Sequence, residues 1–390
     1  MKKILRRLTY TGILVAALWL VLARFVVVNV PLFSRNEPPT AKVLSERLSL
    51  PQGFSISVYA SDLPKARILR FTERGDLLVS LSNAGRIVLL ERDGDGDGRP
   101  DGRRDLLTGL NFPHGMDLHQ DWLYVAETNA IGRIRFDAQA RATRGQFQYV
   151  VSGLPGGGNH RSRTLRFGAD GRMYVTVGSS CNVCEEKDPR RAAMLRYLPD
   201  GSGGEIFATG LRNTVGFDWR PGTEELYGVD NGRDLLGDDF PPEELNRIER
   251  GQFYGWPYAN GNRIPDPDFG KGREDRIEES LPPVHEFLAH TAPLGIAFLR
   301  GSHWPAEYRG SALVTLHGSW NRSKKQGYEV VSLHFDEAGK ISERKFITGF
   351  EMNEDVIGRP VDVVEGADGA IYISDDYTGS VYRVTYGRSS

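Results

Sequence analysis

The chain has little cysteine and no marked excess of charge of either sign. Its 390 residues include two cysteines, and 49 basic side chains nearly balance 51 acidic ones, so the formal net charge is −2. Proteins that bind nucleic acid present a basic face to the phosphates, and this balance argues against nucleic acid as the main partner. A chain of this length is still long enough to bury a sizeable core.

The two cysteines form the short motif Cys181-Asn182-Val183-Cys184. No histidine follows Cys184, which excludes a covalent haem site, and two cysteines alone cannot complete a tetrahedral zinc site. In an exported domain the spacing favours a local disulfide. A redox-active motif is the alternative, although a thioredoxin-like context is missing.

A long apolar run is found at the N-terminus. Basic residues in the first seven positions precede an apolar stretch over 8–23, and after Arg24 the stretch resumes over 25–33. The whole run exceeds the ~20 apolar residues that cross a bilayer, and Arg24 could reach the outer interface. The sequence therefore predicts a transmembrane anchor over 1–33, with a cleaved signal peptide or a buried soluble helix as alternatives.

This segment predicts where the rest of the chain resides. Because the basic residues stay in the cytoplasm, residues beyond the anchor are expected on the periplasmic side of the inner membrane, or free in the periplasm or medium if the segment is cleaved. A polar, proline-containing linker is predicted over 34–50, and one folded domain over 51–387.

The folded domain is rich in glycine and repeats one unit along its length. Each unit is a short apolar strand, a Gly- or Asp-containing turn and a second apolar strand, and the second strands begin at residues 77, 123, 173, 226, 313 and 371. Several short strands every ~40–50 residues are typical of a β-propeller. The fold class predicted is all-β, a six-bladed β-propeller, with a pair of β-sandwiches as the alternative. The long gap after 226 requires an insertion, placed between Arg250 and Pro293.

Polar residues recur at the predicted blade entrances, where loops converge on the central channel. A glycine-rich loop presents His160 before the third copy, and the other entrances carry His114, Arg212, His290 and Arg359. A ring of polar loops on an apolar scaffold indicates a pocket for a polar ligand. For His114 a buried structural role, and for Arg212 a surface ion pair, are the competing interpretations.

Two acidic stretches could bind a hard cation such as calcium. Asp93, Asp95 and Asp97 alternate with glycine, as in the first half of a calcium loop, although Arg104 occupies the twelfth position, where a glutamate is expected. The second stretch runs over 230–246. A flexible turn and a solvated acidic loop are the respective alternatives.

The segment over 316–323 mixes donors with an aromatic ring. His317, Trp320 and Arg322 could together hold a planar anion by stacking and charge. A wide turn that exposes its arginine is the alternative.

Four motifs together resemble the soluble pyrroloquinoline-quinone-dependent glucose/sorbosone dehydrogenase family. They are Asn159-His160 with the strand and turn that follow, Gly210-Leu211-Arg212-Asn213, Gly232 before an acidic run that ends Glu244-Leu245-Asn246, and the stretch over 251–257. The resemblance covers roughly residues 50–386. It implies a six-bladed propeller that oxidises an aldose or a sugar-derived aldehyde such as sorbosone, with pyrroloquinoline quinone (PQQ) and Ca²⁺ as cofactors.

The resemblance also implies residue roles. His160 matches the general base that accepts the substrate proton while hydride passes to the quinone, and Arg212 matches the group that polarises the quinone carbonyl. Asn159 stands where the family has a supporting aspartate. Gly232 and Arg233 match backbone calcium ligands. The further cofactor contacts, by motif or by position, are Asn213, His290, His317, Arg322, Arg359 and His114, whereas Val361 replaces a second expected arginine.

Two other functional classes remain open at this point. A calcium-dependent hydrolase of the lactonase kind would need carboxylates or asparagines converging on a metal in the channel, and a binding platform would have no need of His160. The expected partners of the dehydrogenase are a sugar or sugar aldehyde, the membrane through the N-terminal helix, and a respiratory quinone or cytochrome.

Overall fold

Each copy of the sequence repeat folds into a four-stranded antiparallel sheet. A computed structural model describes residues 37–387, and six such sheets surround a central channel. The prediction of an all-β, six-bladed propeller is confirmed. In every blade the first strand lies innermost, because consecutive strands pair in order from the channel outwards.

The first three blades follow the chain without interruption. Blade 1 contains β2 (Ala66–Phe71), β3 (Leu77–Leu81), β4 (Arg86–Leu90) and β5 (Arg103–Leu107), with a 3₁₀ turn at Ser82–Ala84. Blade 2 contains β6 (Met116–His119), β7 (Trp122–Ala126), β8 (Ala130–Asp137) and β9 (Ala142–Ser152). Blade 3 contains β10 (Leu165–Phe167), β11 (Met173–Val177), β12 (Ala193–Tyr197) and β13 (Glu205–Thr209).

Blades 4 and 5 carry extra elements. Blade 4 contains β14 (Thr214–Trp219), β15 (Leu226–Asp230), β16 (Glu243–Arg247) and β19 (His285–Phe287). Its insertion, between β16 and β19, holds the small hairpin β17 (Ala259–Asn260) and β18 (Ile264–Pro265) and the helix α2 (Glu274–Glu279). Blade 5 contains β20 (Pro293–Phe298), β21 (Ala312–Leu316), β22 (Glu329–Phe335) and β23 (Ile341–Ile347), followed by the hairpin β24 (Glu351–Met352) and β25 (Asp355–Val356). The predicted insertion therefore lies where the repeat spacing put it.

Blade 6 joins the two ends of the described chain. Its inner strands are β26 (Pro360–Glu365), β27 (Ile371–Asp375) and β28 (Ser380–Tyr386), and its outermost strand is β1 (Phe54–Ala60). Phe54 pairs with Tyr386, so the strand that begins the propeller is held by the strand that ends it.

The predicted linker over 34–50 is partly structured. Helix α1 (Ala41–Arg47) begins after Thr40, whose hydroxyl accepts the Val43 amide at 3.3 Å, as an N-cap residue does. Leu44 on this helix is buried against blades 5 and 6. The helix is therefore packed onto the propeller. The anchor predicted over 1–33 lies outside the described residues, and within 37–387 no helix is long and apolar enough to span a bilayer.

The second strand of each blade is almost entirely buried. Strands β3, β11, β15, β21 and β27 have every residue buried, because neighbouring blades pack on both of their faces. This explains why the second strands carry the clearest apolar signal in the sequence. The burial also holds the strand ends rigidly at the points where loops begin. A site that must position its side chains precisely needs such rigid support.

Alternating charges line the channel on or just after the innermost strands. Blades 1, 3 and 5 supply arginines and blades 2, 4 and 6 supply aspartates: Arg70, Arg166, Arg300, Asp117, Asp218 and Asp362. Each aspartate accepts a backbone amide of the next blade, from Phe167, Phe298 and Leu69, at 2.8–2.9 Å. We call these six side chains the charged ring. It links neighbouring blades through side chains where no strand pairing joins them.

Candidate active site

A polar cavity of ≈ 640 Å³ lies at one end of the channel. Its walls come from loops that precede first strands and from loops that join second and third strands. Its cationic and imidazole side chains come from five blades: Arg67, His160, Arg212, His290, His317, Lys325 and Arg359. The structure thus brings together four of the five polar residues predicted at blade entrances.

His160 is held in one tautomer by a backbone carbonyl. Its Nδ1 lies 2.9 Å from the carbonyl oxygen of Ser179 and 2.9 Å from the hydroxyl of the same residue. A carbonyl only accepts, so Nδ1 carries the proton and Nε2 carries the lone pair. The Ser179 hydroxyl donates to the Cys181 carbonyl at 2.8 Å, which leaves its oxygen free to accept as well.

His160 is neutral at physiological pH. Burial, followed by the charge of Arg212, lowers its pKa to about 3. The unprotonated ring is the form that a proton acceptor requires.

We expect the His160 ring to remain neutral between about pH 8 and pH 4 in the ligand-free protein, whereas an unperturbed histidine titrates near ~6.5. In the unfolded chain His160 takes up a proton near pH ~6.5, whereas in the folded protein it does so only near pH 3. The free energy of unfolding therefore falls as the pH drops from about 6.5 towards 3. NMR titration of the ring proton, assigned with His160→Gln, measures this pKa. A midpoint above pH 6 would contradict the geometry described.

Ser179 supports His160, where the sequence predicts Asn159. The Asn159 side chain is exposed and donates no hydrogen bond to the ring in the part of the chain that the structure describes. Its backbone amide instead bonds the Ser180 carbonyl at 2.8 Å. The residue that supports the His160 ring is therefore Ser179 and not Asn159 as expected. Ser179 lies nineteen residues after His160 in the chain and is adjacent to it in space because β10 and β11 pair.

Gly178 packs directly beneath the imidazole. A Cβ atom at this position would lie 2.6 Å from the Cβ of His160 and 2.7 Å from Oδ1 of Asn213. We expect Gly178→Ala to displace His160 and to lower turnover about 10- to 100-fold, since displacements near 1 Å can cost this much. Steady-state kinetics with a melting curve measures the effect. Gly157→Ala is the control, because a Cβ there meets nothing within 4 Å, and equal kinetics of the two variants would argue against the prediction.

Arg212 is a buried cation that lines the cavity, and one of its N–H groups has no partner among the described residues. Its guanidinium donates to the carbonyl and Oδ1 of Asn182 and to the carbonyl of Asn231, each at 2.9 Å, and to Asp234 at 3.3 Å. A guanidinium has five N–H groups, so one remains on Nη1. The surface ion pair considered as an alternative is wrong, because Arg212 is only 4% exposed.

Asp376 gathers three side chains at the opposite wall. It accepts hydrogen bonds from Arg67 at 3.2 Å, from Arg359 at 2.8 Å and from His317 at 3.0 Å. Burial and Arg359 lower the pKa of His317 to about 4, so the ring is neutral. Two arginines and one carboxylate leave one net positive charge, which favours an anionic ligand group at this wall.

Further donors and acceptors face the cavity. His290 is buried and its Nε2 donates to the Gly237 carbonyl at 2.8 Å, while Asn321 lies 3.4 Å from its Nδ1. The side-chain amide oxygen of Asn321, Oδ1, is buried and has no hydrogen-bond partner among residues 37–387. Lys325 donates twice to Glu354, at 3.0 Å each, and keeps a third proton. Asn213 also lines the cavity.

Gly232 and Glu243 meet at the cavity floor. The Gly232 amide donates to Glu243 at 2.7 Å, and no described residue donates to the Gly232 carbonyl. Burial raises the pKa of Glu243 to about 8. A free carbonyl beside a buried carboxyl group is a donor set that suits a hard cation such as Ca²⁺.

Several predicted site residues lie elsewhere. His114 is fully buried outside the cavity with Nδ1 3.4 Å from the Thr164 hydroxyl, and burial lowers its pKa well below the usual value, which favours the structural alternative. The Arg322 guanidinium does not line the cavity and instead bonds the Asp238 and Ala289 carbonyls.

Arg233 is not among the residues that line the cavity, and its guanidinium binds Asp266 at 2.8 Å and Asp268 at 2.9 Å in the blade 4 insertion. The role implied for Arg233 is that of a backbone calcium ligand, which these side-chain contacts do not test and which stays a prediction.

The acidic loop of blade 1 is remote from the cavity. It joins β4 to β5, and it brings the carboxylates of Asp93, Asp95 and Asp101 within 4.8 Å of one another. Asp97, which the sequence predicts as a ligand, instead accepts the Arg99 amide at 2.8 Å. The loop is a candidate cation site.

Sequence reasoning missed four side chains that the site uses. Arg67 opens the first blade as the other predicted residues open theirs, so the same rule applied to that blade would have found it. Lys325 lies eight residues after His317 on a long loop. Ser179 acts across the β10–β11 strand pair of blade 3 and Asn182 acts between blades 3 and 4, and the sequence carries no signal for either contact.

The cysteines are bonded to each other. Cys181 and Cys184 form a disulfide, as the spacing predicts, and the redox-motif alternative is not needed to explain them.

Comparisons with known proteins agree with the resemblance drawn from the motifs. A model of the TrAA12-like family matches residues 48–387. An uncharacterized protein of Borreliella burgdorferi is 28% identical over 364 residues, which cover 89% of this chain and 93% of that protein.

Two solved structures share the fold. The calcium structure of a Trichoderma reesei carbohydrate-active enzyme of family AA12 is 21% identical, with a TM-score of 0.76 over 87% of this chain and 97% of that one. The holo form of the PQQ domain of pyranose dehydrogenase from Coprinopsis cinerea is 21% identical, with a TM-score of 0.74 over the same shares, 87% and 97%. Because the family model spans most of the chain, the protein belongs to the TrAA12-like family.

Proposed function

We propose that this protein is a PQQ-dependent sugar dehydrogenase that oxidises an aldose or a sugar-derived aldehyde. The observation that carries the proposal is His160, which presents an unprotonated Nε2 in a cavity whose opposite walls are cationic. The TrAA12-like family and the PQQ domain of Coprinopsis cinerea pyranose dehydrogenase support it.

The cavity residues suit a planar polyanion with carboxylate groups. The net positive charge of Arg67, Arg359 and Asp376 would hold one carboxylate, and the free proton of Lys325 would serve another. Asn321 offers a buried acceptor that lacks a donor. Gly232 and Glu243 are the residues that would hold a calcium ion beside the ligand.

Two side chains of the protein, His160 and Arg212, take part in the reaction. His160 Nε2 accepts the proton of the sugar hydroxyl, and Ser179 keeps the ring in the accepting tautomer while its charge develops. Arg212 keeps one N–H for negative charge that forms on an oxygen in the cavity. PQQ, when bound, supplies the acceptor for the hydride that leaves the sugar carbon.

Titration of the purified protein with PQQ and Ca²⁺ tests this proposal. We expect a saturable change in the quinone spectrum, dye reduction on addition of an aldose or sorbosone, and loss of that activity with EDTA that Ca²⁺ restores. Arg359→Ala should weaken quinone binding about tenfold or more, since a charge-assisted hydrogen bond contributes ~1.5–3 kcal/mol. The absence of any spectral change would refute the proposal.

The same titration separates the competing functions. Hydrolysis of a lactone with Ca²⁺ alone would favour a hydrolase. The described residues do not favour it, because none of their clusters of three acidic, histidine or cysteine side chains with ligand atoms within 4.8 Å of one another belongs to the cavity lining, whereas such a hydrolase needs several side chains converging on its metal. Ligand binding without turnover would favour a binding platform.

We further propose that the enzyme works on the periplasmic side of the inner membrane, tethered by residues 1–33, and passes electrons to a respiratory quinone or cytochrome. The N-terminal charge pattern supports the orientation. Fractionation of cells that express the full chain, followed by protease protection, tests it.

A further inference from the structure

The disulfide of blade 3 closes a four-residue ring at the edge of the candidate active site. Cys181 and Cys184 lie on the loop between β11 and β12, and both are partly accessible. In the chain-entropy picture a cross-link stabilises the fold least when its loop is short. Stabilisation of the whole fold therefore does not account for a disulfide ring this small.

Asn182, inside the ring, contacts two elements of the next blade. Its backbone carbonyl and its Oδ1 each accept a hydrogen bond from Arg212 at 2.9 Å. The same Oδ1 accepts the Asp234 amide at 2.8 Å, and Nδ2 donates to the Asp234 carbonyl at 3.0 Å. One side chain thus fixes the Arg212 guanidinium and the loop after β15.

Cys181 itself connects the ring to His160. Its carbonyl accepts the Ser179 hydroxyl at 2.8 Å, and Ser179 orients the His160 ring. The Ser179 amide also donates to the Arg212 carbonyl at 2.8 Å. Ser179, which orients the His160 ring, is therefore bonded directly to the charged residue Arg212.

We propose that the Cys181–Cys184 ring is a positioning element that holds Arg212 through Asn182 and His160 through Ser179. Because the ring is short and covalently closed, both side chains are held by one rigid element. Neither Asn182 nor the cysteines line the cavity, and they act through Arg212 and Ser179. The consequence for turnover rests on the proposed function, whereas the consequence for local order does not.

Amide hydrogen exchange of the ligand-free protein tests the ring without reference to activity. Because the Asp234 amide bonds Asn182, we expect its exchange to be at least tenfold faster in the Cys181→Ser/Cys184→Ser double variant and in Asn182→Ala. Asn182→Asp keeps the acceptors for Arg212 and for the Asp234 amide, so it should restore most of the protection. Lys187→Ala, an exposed change on the same loop, should leave the exchange as in the wild type.

Kinetics then separate this proposal from the proposed function. With saturating PQQ and Ca²⁺, the double variant and Asn182→Ala should lose about tenfold in kcat, and Asn182→Asp should recover most of it, while denaturant midpoints confirm that all variants are folded. Wild-type exchange rates at Asp234 in the double variant would overturn the positioning role. A wild-type protein that neither binds nor reduces the quinone would refute the dehydrogenase while leaving the exchange result to decide the ring.

Discussion

Replacing His160 with alanine is expected to lower kcat by about 10²- to 10⁴-fold, the usual contribution of a general base. Its Nδ1 bonds the Ser179 carbonyl, which fixes Nε2 as the accepting nitrogen in the cavity. Dye-linked kinetics on the PQQ-loaded variant measures the effect. The affinity for the quinone should change far less, because the cationic wall around Asp376 is untouched.

A matched histidine change gives the control for this prediction. His303 is exposed, lines a separate pocket and has no contact with the active-site cavity, so His303→Ala should keep wild-type kinetics. Added imidazole should restore part of the activity of His160→Ala, because the deleted ring leaves room for it. If His160→Ala turned over sugar as fast as His303→Ala, another group would have to be the base.

The second large effect is expected in the charged ring, where Asp218→Ala should destabilise the fold by about 3–5 kcal/mol. Asp218 is fully buried and bonds Arg166 at 2.8 Å and Arg300 at 2.9 Å, besides the Phe298 amide at 2.9 Å. Its removal takes away the carboxylate that pairs with Arg166 and Arg300, leaves the Phe298 amide without its acceptor and breaks a link between blades 4 and 5. Urea unfolding at pH 7 measures the loss.

An exposed ion pair is the appropriate control for Asp218. Asp121 pairs with Arg135 at 2.8 Å, and their side chains are 78% and 51% exposed. Such pairs contribute ~0.2–1 kcal/mol, so Asp121→Ala should change the unfolding free energy little. Equal losses in the two variants would mean that the charged ring does not carry stability between blades.

The sequence allowed prediction of what repeats along the chain. The second strands were expected to begin at 77, 123, 173, 226, 313 and 371, and they begin within one residue of these positions. These strands can be predicted because a strand that is buried on both faces needs an unbroken run of apolar residues. The same count predicts the blade entrances, and with them Arg212, His290 and Arg359 as residues of the cavity.

What the sequence could not predict is which side chains meet when two loops come together in space. Asn159 precedes His160 in the chain, yet the support comes from Ser179 across a strand pair. Arg322 lies close to His317 in sequence, yet the cavity lysine is Lys325, because a long loop decides which side chain turns inwards. Nearness along the chain is a poor guide wherever two loops of different strands share one wall.

The pairing of β1 with β28 has a consequence for how the molecule is made. Ribosomes release β1 long before β28, so β1 must wait without its partner while five blades form behind it. During that interval an unpaired edge strand is available to other chains. During biosynthesis β1 therefore stays open to pairing with other chains until β28 emerges. A chain truncated before residue 380 would lack β28, and its β1 would stay unpaired.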